Sequence, residues 1–229
     1  MPMRPAGELT QVLEMLKRHT AVAPVPTEPL AMILWENIGY LIDDDRRRSL
    51  FDAFAAEIGI SAPAILAADD ATLLPLATRG GMRPEVRVRR WRDIAALVRD
   101  RCGGDLDGAL RALPLAKARA LLRAFPMIGG PGGDKILLFS GIAPTPSLES
   151  NGLRVLGRLG FFAEQPSYAA SYKDALAVLA TAGLRACEEL VDAHQLLREH
   201  GKTLCRRGEP LCMACPLSET CPRAPVSAL

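Results

Sequence analysis

The chain is poor in aromatic residues and carries no marked excess of either charge. Phe, Tyr and Trp make up 5% of 229 residues, and 28 Lys and Arg against 26 Asp and Glu leave a formal net charge of +2. So small an imbalance does not by itself demand a polyanionic partner. No apolar run approaches the ~20 residues that cross a bilayer, so no membrane partner is expected. The first ten residues lack the apolar stretch of a secretory signal. Period-2 alternation is missing as well, so strands should be few or none. Without an export signal the expected compartment is the cytoplasm (nucleoid-associated in a bacterium). There, clustered thiols suit metal ligation better than disulfides.

What is present is helical. Ala, Leu and Arg dominate, and all three favour helix. The spacing predicts helices over residues 9–17, 28–41, 43–58, 62–68, 71–77, 84–101, 115–124, 134–139, 150–159, 167–181 and 184–200. Thr27 is the expected N-cap of the second, with Pro29 in its first turn. Leu30, Ile33, Leu34, Ile38 and Leu41 form its apolar stripe, and Leu50, Phe51 and Phe54 point inward from the third. The fold class is all-α.

Charge is patterned even though its total is small. Arg83, Arg87, Arg89, Arg90, Arg92, Arg99 and Arg101 crowd one helix, which reads equally as a phosphate-binding patch or as a solvated face. Lys202, Arg206, Arg207 and Arg223 surround a more telling feature. Cys205, Cys212, Cys215 and Cys221 are spaced C-x6-C-x2-C-x5-C, while Cys102 and Cys187 lie far away. Four thiolates so close suit one metal centre, tetrahedral zinc or an iron–sulfur cube. With the ligand set complete, His194 and His200 are expected to pack or to touch phosphate.

Residues 125–135 join two apolar helices through a glycine-dense turn. Gly129, Gly130, Gly132 and Gly133 permit positive φ and close approach by another backbone. Amides at the start of the second helix can then grip a phosphate without reading sequence. By itself this is also what a tight turn between packed helices looks like.

A hydrophobic-Pro-x-hydrophobic-Gly hairpin (Phe125, Pro126, Met127, Ile128, Gly129) followed by these four cysteines resembles the endonuclease III family of helix-hairpin-helix DNA glycosylases. Residues 33–40 fall where that family begins its duplex-probing segment. Residues 148–155 fall at its catalytic carboxylate, and residues 192–202 match the helix that leads into its [4Fe–4S] loop. The resemblance runs from about residue 9 to 223. It implies two helical domains flanking a DNA-binding cleft: 24–141, ending in the hairpin, and 1–23 plus 142–229, carrying a [4Fe–4S] cluster on Cys205, Cys212, Cys215 and Cys221. The implied partner is double-stranded DNA with a damaged or mismatched base, bound by a monomer.

The same resemblance assigns roles. Glu149 stands where the family has its catalytic aspartate; a carboxylate there stabilises an oxocarbenium-like sugar and activates water. Glu149 would equally suit a helix N-terminus on electrostatic grounds. Pro131 occupies the position of the lysine that bifunctional members use as a nucleophile, so a monofunctional glycosylase is expected. Lys135, about one helical turn on, is a candidate substitute amine, and reads also as a solvated or phosphate-binding lysine. Met127 replaces a glycine of the family's hairpin. Asn37 is expected to fill the gap left by a flipped base and Tyr40 to stack, with Trp35 packed in the core. Ile128, the hairpin glycines, Lys202, Arg206 and Arg207 would hold the backbone. The rival readings are a protein that binds lesions or unusual DNA structures without excising a base, and a glycosylase/lyase built on Lys135.

Overall fold

A computed structural model describes residues 3–163 and 165–223 of the chain. Among the described residues there are α-helices and short 3-10 turns and no strand. The α-helices are α1 (Leu9–His19), α2 (Pro29–Asn37), α3 (Asp44–Glu57), α4 (Ala62–Ala67), α5 (Asp70–Arg79), α6 (Pro84–Cys102), α7 (Leu106–Ala112), α8 (Leu115–Leu122), α9 (Gly130–Phe139), α10 (Ser150–Arg158), α11 (Tyr168–Thr181) and α12 (Cys187–Thr203). No described helix is long and apolar enough to cross a membrane. The chain divides into two compact units, Val25–Ala143 and Met1–Pro24 with Pro144–Leu229.

In the Val25–Ala143 unit, α6 is the central post against which α2, α4 and α5 lie. Trp91 on α6 is fully buried and meets Phe54 of α3 edge-on, ring centroids 4.8 Å apart. Leu50, Ile65, Leu73 and Ile94 close around them without solvent contact. Arg87 is buried in the same unit at 5% exposure and donates to the carbonyls of Ala77 (2.6 Å), Gly81 (3.3 Å) and Met82 (3.2 Å). Burial lowers its pKa, and Arg90 adds to the effect. The arginine-rich helix is therefore no uniform patch. Arg87 caps the end of α5, Arg92 pairs with Asp70 at 2.7 Å and Arg99 with Asp100 at 2.6 Å.

In the other unit α10 packs along α12, with α1 against α12 and α11 against α10. The α10–α12 approach depends on glycine. A Cβ on Gly201 would stand 2.7 Å from the carbonyl oxygen of Asn151.

Local chemistry sets the helix ends, sometimes differently from the sequence expectation. The cap of α2 is Glu28, not Thr27: Pro29 holds its predecessor extended (φ −75°, ψ 135°), and the Glu28 carboxylate reaches the amides of Leu30 (3.0 Å) and Ala31 (2.7 Å). The sequence reading omitted α7, which Asp105 opens by accepting from Gly108 at 2.9 Å; Gly103, Gly104 and Gly108 mask it as a loop. The ninth helix begins at Gly130 rather than 134, because Pro131 is preorganised for a first turn and glycine is tolerated there. Leu41, expected on the α2 stripe, lies beyond its end at φ +55° and is 81% exposed.

Candidate functional site

The hairpin between α8 and α9 sorts its residues by role. Ile128 is buried at 4% exposure and anchors the turn, so its side chain is not offered to a partner. A Cβ on Gly129 or Gly130 would meet nothing within 4 Å, whereas Gly132 and Gly133 face Ile128 and Leu122 of the hairpin itself. The open end of α9 is thus built by the first two glycines. First-turn amides lack intrahelical acceptors, and Pro131 contributes none. Met127 lies in left-handed backbone space, φ +61°, with its side chain 61% exposed.

Asn37 is not at the surface. It is 4% exposed, and its Nδ2 donates to the carbonyls of Ile33 (2.9 Å) and Pro126 (3.0 Å), tying α2 to the hairpin. A gap-filling role for it is therefore not supported by its position. Trp35 packs edge-on against Phe51 at 5.3 Å, with Arg48 over its ring at 4.6 Å. Lys135 is committed too: its Nζ sits 2.7 Å from Glu36 Oε1 and 5.7 Å from the Phe139 ring centroid. The amine is thus tied to a carboxylate of its own unit.

The exposed apolar groups lie one loop over. Tyr40 N donates to Gly80 O at 2.9 Å, which lays residues 39–42 beside residues 80–83. Tyr40 (54%), Leu41 (81%) and Met82 (66%) project from this pair of loops, which also holds the left-handed residues Leu41 and Arg83. The sequence reading found Tyr40 and missed the other two. The available signal was an apolar residue stranded between the end of one helix and the Asp43 cap of the next.

In the second unit Glu149 is the N-cap of α10. Its Oε1 accepts from Gly152 N at 2.8 Å and its Oε2 from Asn151 Nδ2 at 2.8 Å. The carboxylate is therefore fixed in place at the N-terminus of α10. The network continues: Arg154 Nη2 donates to Asn151 Oδ1 (2.7 Å) and Gly201 O (2.7 Å), and Arg154 Nε to Cys205 O (3.0 Å). Burial lowers the pKa of Arg154, and the charge of Arg158 lowers it further. One turn on, Arg158 Nη1 reaches Arg206 O (2.6 Å) and Cys205 Sγ (3.4 Å). Asn151, Arg154 and Arg158 thus link the carboxylate to the cysteine loop. The sequence reading missed this link, although two arginines a helical turn apart behind Glu149 were its visible sign.

Cys205, Cys212, Cys215 and Cys221 are unpaired thiols that line one cavity of about 250 Å³, walled by Val155, Leu159 and Leu217. Among the described residues no three of His, Cys, Asp and Glu converge on a single ion-sized point. Donors already face the sulfurs: Leu217 N lies 3.4 Å from Cys215 Sγ, besides Arg158 at Cys205. Burial pushes the Cys215 thiol up, and the three neighbouring cysteines add to this. His200 packs with Nε2 3.7 Å from Cys215 Sγ, and burial lowers its pKa to about 4, which keeps it neutral. His194 is buried, its Nδ1 2.9 Å from Ser147 O. Lys202, Arg206 and Arg207 are exposed around the loop.

No protein-family model matches the chain. Over 105 residues it is 30% identical to the endonuclease III of Sulfolobus acidocaldarius, a stretch that covers 46% of this chain and 44% of that protein. The chain thus matches less than half the length of this curated relative. Three solved structures share the fold. One is a thermostable thymine-DNA glycosylase (TM-score 0.73, 15% identity, 93% of each chain covered). The second is an endonuclease III in a non-covalent DNA complex (TM-score 0.73, 17% identity, 97% of each). The third is the H. pylori 3-methyladenine DNA glycosylase bound to 1,N6-ethenoadenine (TM-score 0.64, 14% identity, 87% of this chain and 98% of that one). The chain therefore has the all-helical fold of the endonuclease III-like DNA glycosylases and is similar in sequence to an endonuclease III over that stretch.

Proposed function

We propose that the protein is a monofunctional DNA glycosylase of base-excision repair, hydrolysing the N-glycosidic bond of a damaged or mismatched base flipped from double-stranded DNA. The observation that carries this reading is the carboxylate of Glu149. On a glycosylase-like fold it is fixed at the start of α10 by Gly152 and Asn151. Held there, it stabilises positive charge developing on the sugar and orients water toward C1′. Extrusion of the base costs a few kcal/mol of stacking and pairing, and apolar side chains wedged between base steps open the stack. Tyr40, Leu41 and Met82 supply such side chains. The open glycine end of α9 and the basic residues Lys202, Arg206 and Arg207 hold phosphates.

The resident group that suits the cysteine loop is a [4Fe–4S] cluster on Cys205, Cys212, Cys215 and Cys221. A cube is ligated at its corners, so its thiolates surround a volume; the common cavity and the N–H groups aimed at Cys205 and Cys215 fit that demand. When bound, the cluster staples a basic loop in place. Arg154 and Arg158 hold the same loop against α10.

A panel of duplexes with single damaged or mismatched bases tests the reading. Excision of at least one of them, lost in Glu149→Gln, is the expected result. Tight lesion binding without abasic product, unchanged in that variant, would instead favour a protein that recognises lesions without cutting. Lyase activity is examined by borohydride reduction on abasic-site DNA. The Lys135–Glu36 ion pair predicts no covalent adduct, and one that vanishes in Lys135→Ala would overturn the monofunctional reading.

A further inference from the structure

Arg158 is the last residue of α10, and its guanidinium crosses to the cysteine loop. Nη1 donates to Cys205 Sγ (3.4 Å), Cys205 O (3.3 Å) and Arg206 O (2.6 Å), and Nη2 to Arg207 O (3.3 Å). Three backbone carbonyls therefore fix the planar group, and the contact with sulfur does not depend on the sulfur alone. Arg154, one turn earlier, reaches the same cysteine only at its carbonyl oxygen, 3.0 Å away. At Cys215 the donor is the Leu217 amide, 3.4 Å from Sγ, which brings a dipole but no net charge. Arg158 brings both an N–H and a full positive charge.

Its surroundings let that charge act. Arg158 lines the cysteine cavity together with Val155, Leu159 and Leu217. Apolar walls screen a charge less than water does. A thiolate that accepts a hydrogen bond gives less electron density to its metal, and a fixed cation lowers the energy of an added electron. Hydrogen bonds to sulfur and net charge are two of the terms that set an iron–sulfur potential. Here both favour the reduced form.

We propose that Arg158 raises the reduction potential of an iron–sulfur centre held by Cys205, Cys212, Cys215 and Cys221, acting through Cys205 Sγ. The inference rests on the cluster reading of the loop and requires no electron transfer during base excision. Arg158 is a positioning and tuning residue for this centre. A purely structural role, pinning the loop by its carbonyls, would affect iron retention and leave the potential alone.

The full-length, iron-loaded protein is titrated spectroelectrochemically with redox mediators, after iron and sulfide have been measured. In Arg158→Gln the reduction equilibrium falls at least tenfold, about 59 mV for one electron. Arg158→Lys, which keeps the charge and loses the fork, falls more than twofold but less than Arg158→Gln. Arg207→Gln removes an equal charge from the exposed part of the same loop and changes the equilibrium less than twofold. If Arg158→Gln does not retain iron, Arg158→Lys decides. A potential within twofold of the parent in the iron-loaded variant overturns the proposal. So does an equal shift in Arg207→Gln, or the absence of a one-electron couple in the loaded parent. Zinc in place of iron in the parent ends the cluster reading itself, whereas an iron-loaded protein indifferent to Arg158 ends this inference alone.

Discussion

Individual residues carry the chemistry here, and their value depends on what holds them. Glu149 differs from an aspartate by one methylene and one rotatable bond, which would loosen a free carboxylate. Hydrogen bonds from Gly152 and Asn151 remove that freedom. Glu149→Gln keeps the shape and removes the charge, so single-turnover excision should fall ~10²–10³-fold, the loss seen when one transition-state-stabilising group goes. A drop under about tenfold would deny the carboxylate its role. Arg206 and Arg207 test the phosphate reading in another currency. Each contact removed should lower the slope of log K against log salt by ~1 while weakening all sequences alike. An unchanged slope in the double Ala variant would place both residues away from DNA. Sequence position alone could name these residues, yet it erred on Asn37, whose polar amide looked outward-facing but is consumed by two carbonyls inside the fold.

At the level of elements, two turns and a helix crossing govern how the site is presented. Met127 sits in left-handed space, which costs a residue with a Cβ roughly 1–2 kcal/mol. Met127→Gly should therefore raise unfolding stability by ~1 kcal/mol in urea melts, since part of the relief is offset by glycine's greater freedom when unfolded. If stability falls instead, the exposed methionine is making contacts that the turn needs. The α10–α12 crossing behaves in the opposite sense. Gly201→Ala drives a methyl into the Asn151 carbonyl and should cost ~1–3 kcal/mol. Because Asn151 bridges Glu149 and Arg154, excision should decline along with stability. Helix existence was legible from the 3.6 period for every helix but α7. Helix ends were less so, since Glu28 caps α2 where Pro29 holds it extended, and α9 starts at Gly130 because Pro131 suits a first turn.

For the whole molecule, the cysteine loop has little to hold it by packing alone, with Leu217 as its buried side chain among the described residues. Its 3-10 turns, Cys212–Ala214 and Ser218–Thr220, contain no buried residue. Metal ligation that exists only in the folded chain adds its binding energy to folding. Cys212→Ser should lose iron and sulfide together; a loss of even ~2 kcal/mol lowers Tm by roughly 4–8 °C in a chain of this size. Stoichiometric zinc without iron in the parent would replace the cluster with a tetrahedral ion. The sequence by itself determined the helical class, the four thiols and their spacing, and the place of the hairpin, because these depend on residue identity and on near neighbours along the chain. The inward faces of α2 and α3 were legible too, since Leu30, Ile33, Leu34, Leu50, Phe51 and Phe54 are buried as their spacing implies; the tertiary structure decided the residues that periodicity misplaces. Asn37, Ile128 and Arg87 went inside, Leu41 and Met82 outside, and Arg154 and Arg158 turned toward a loop far along the chain. A helix's periodic pattern is local, whereas burial is settled by whichever distant segment lies across it.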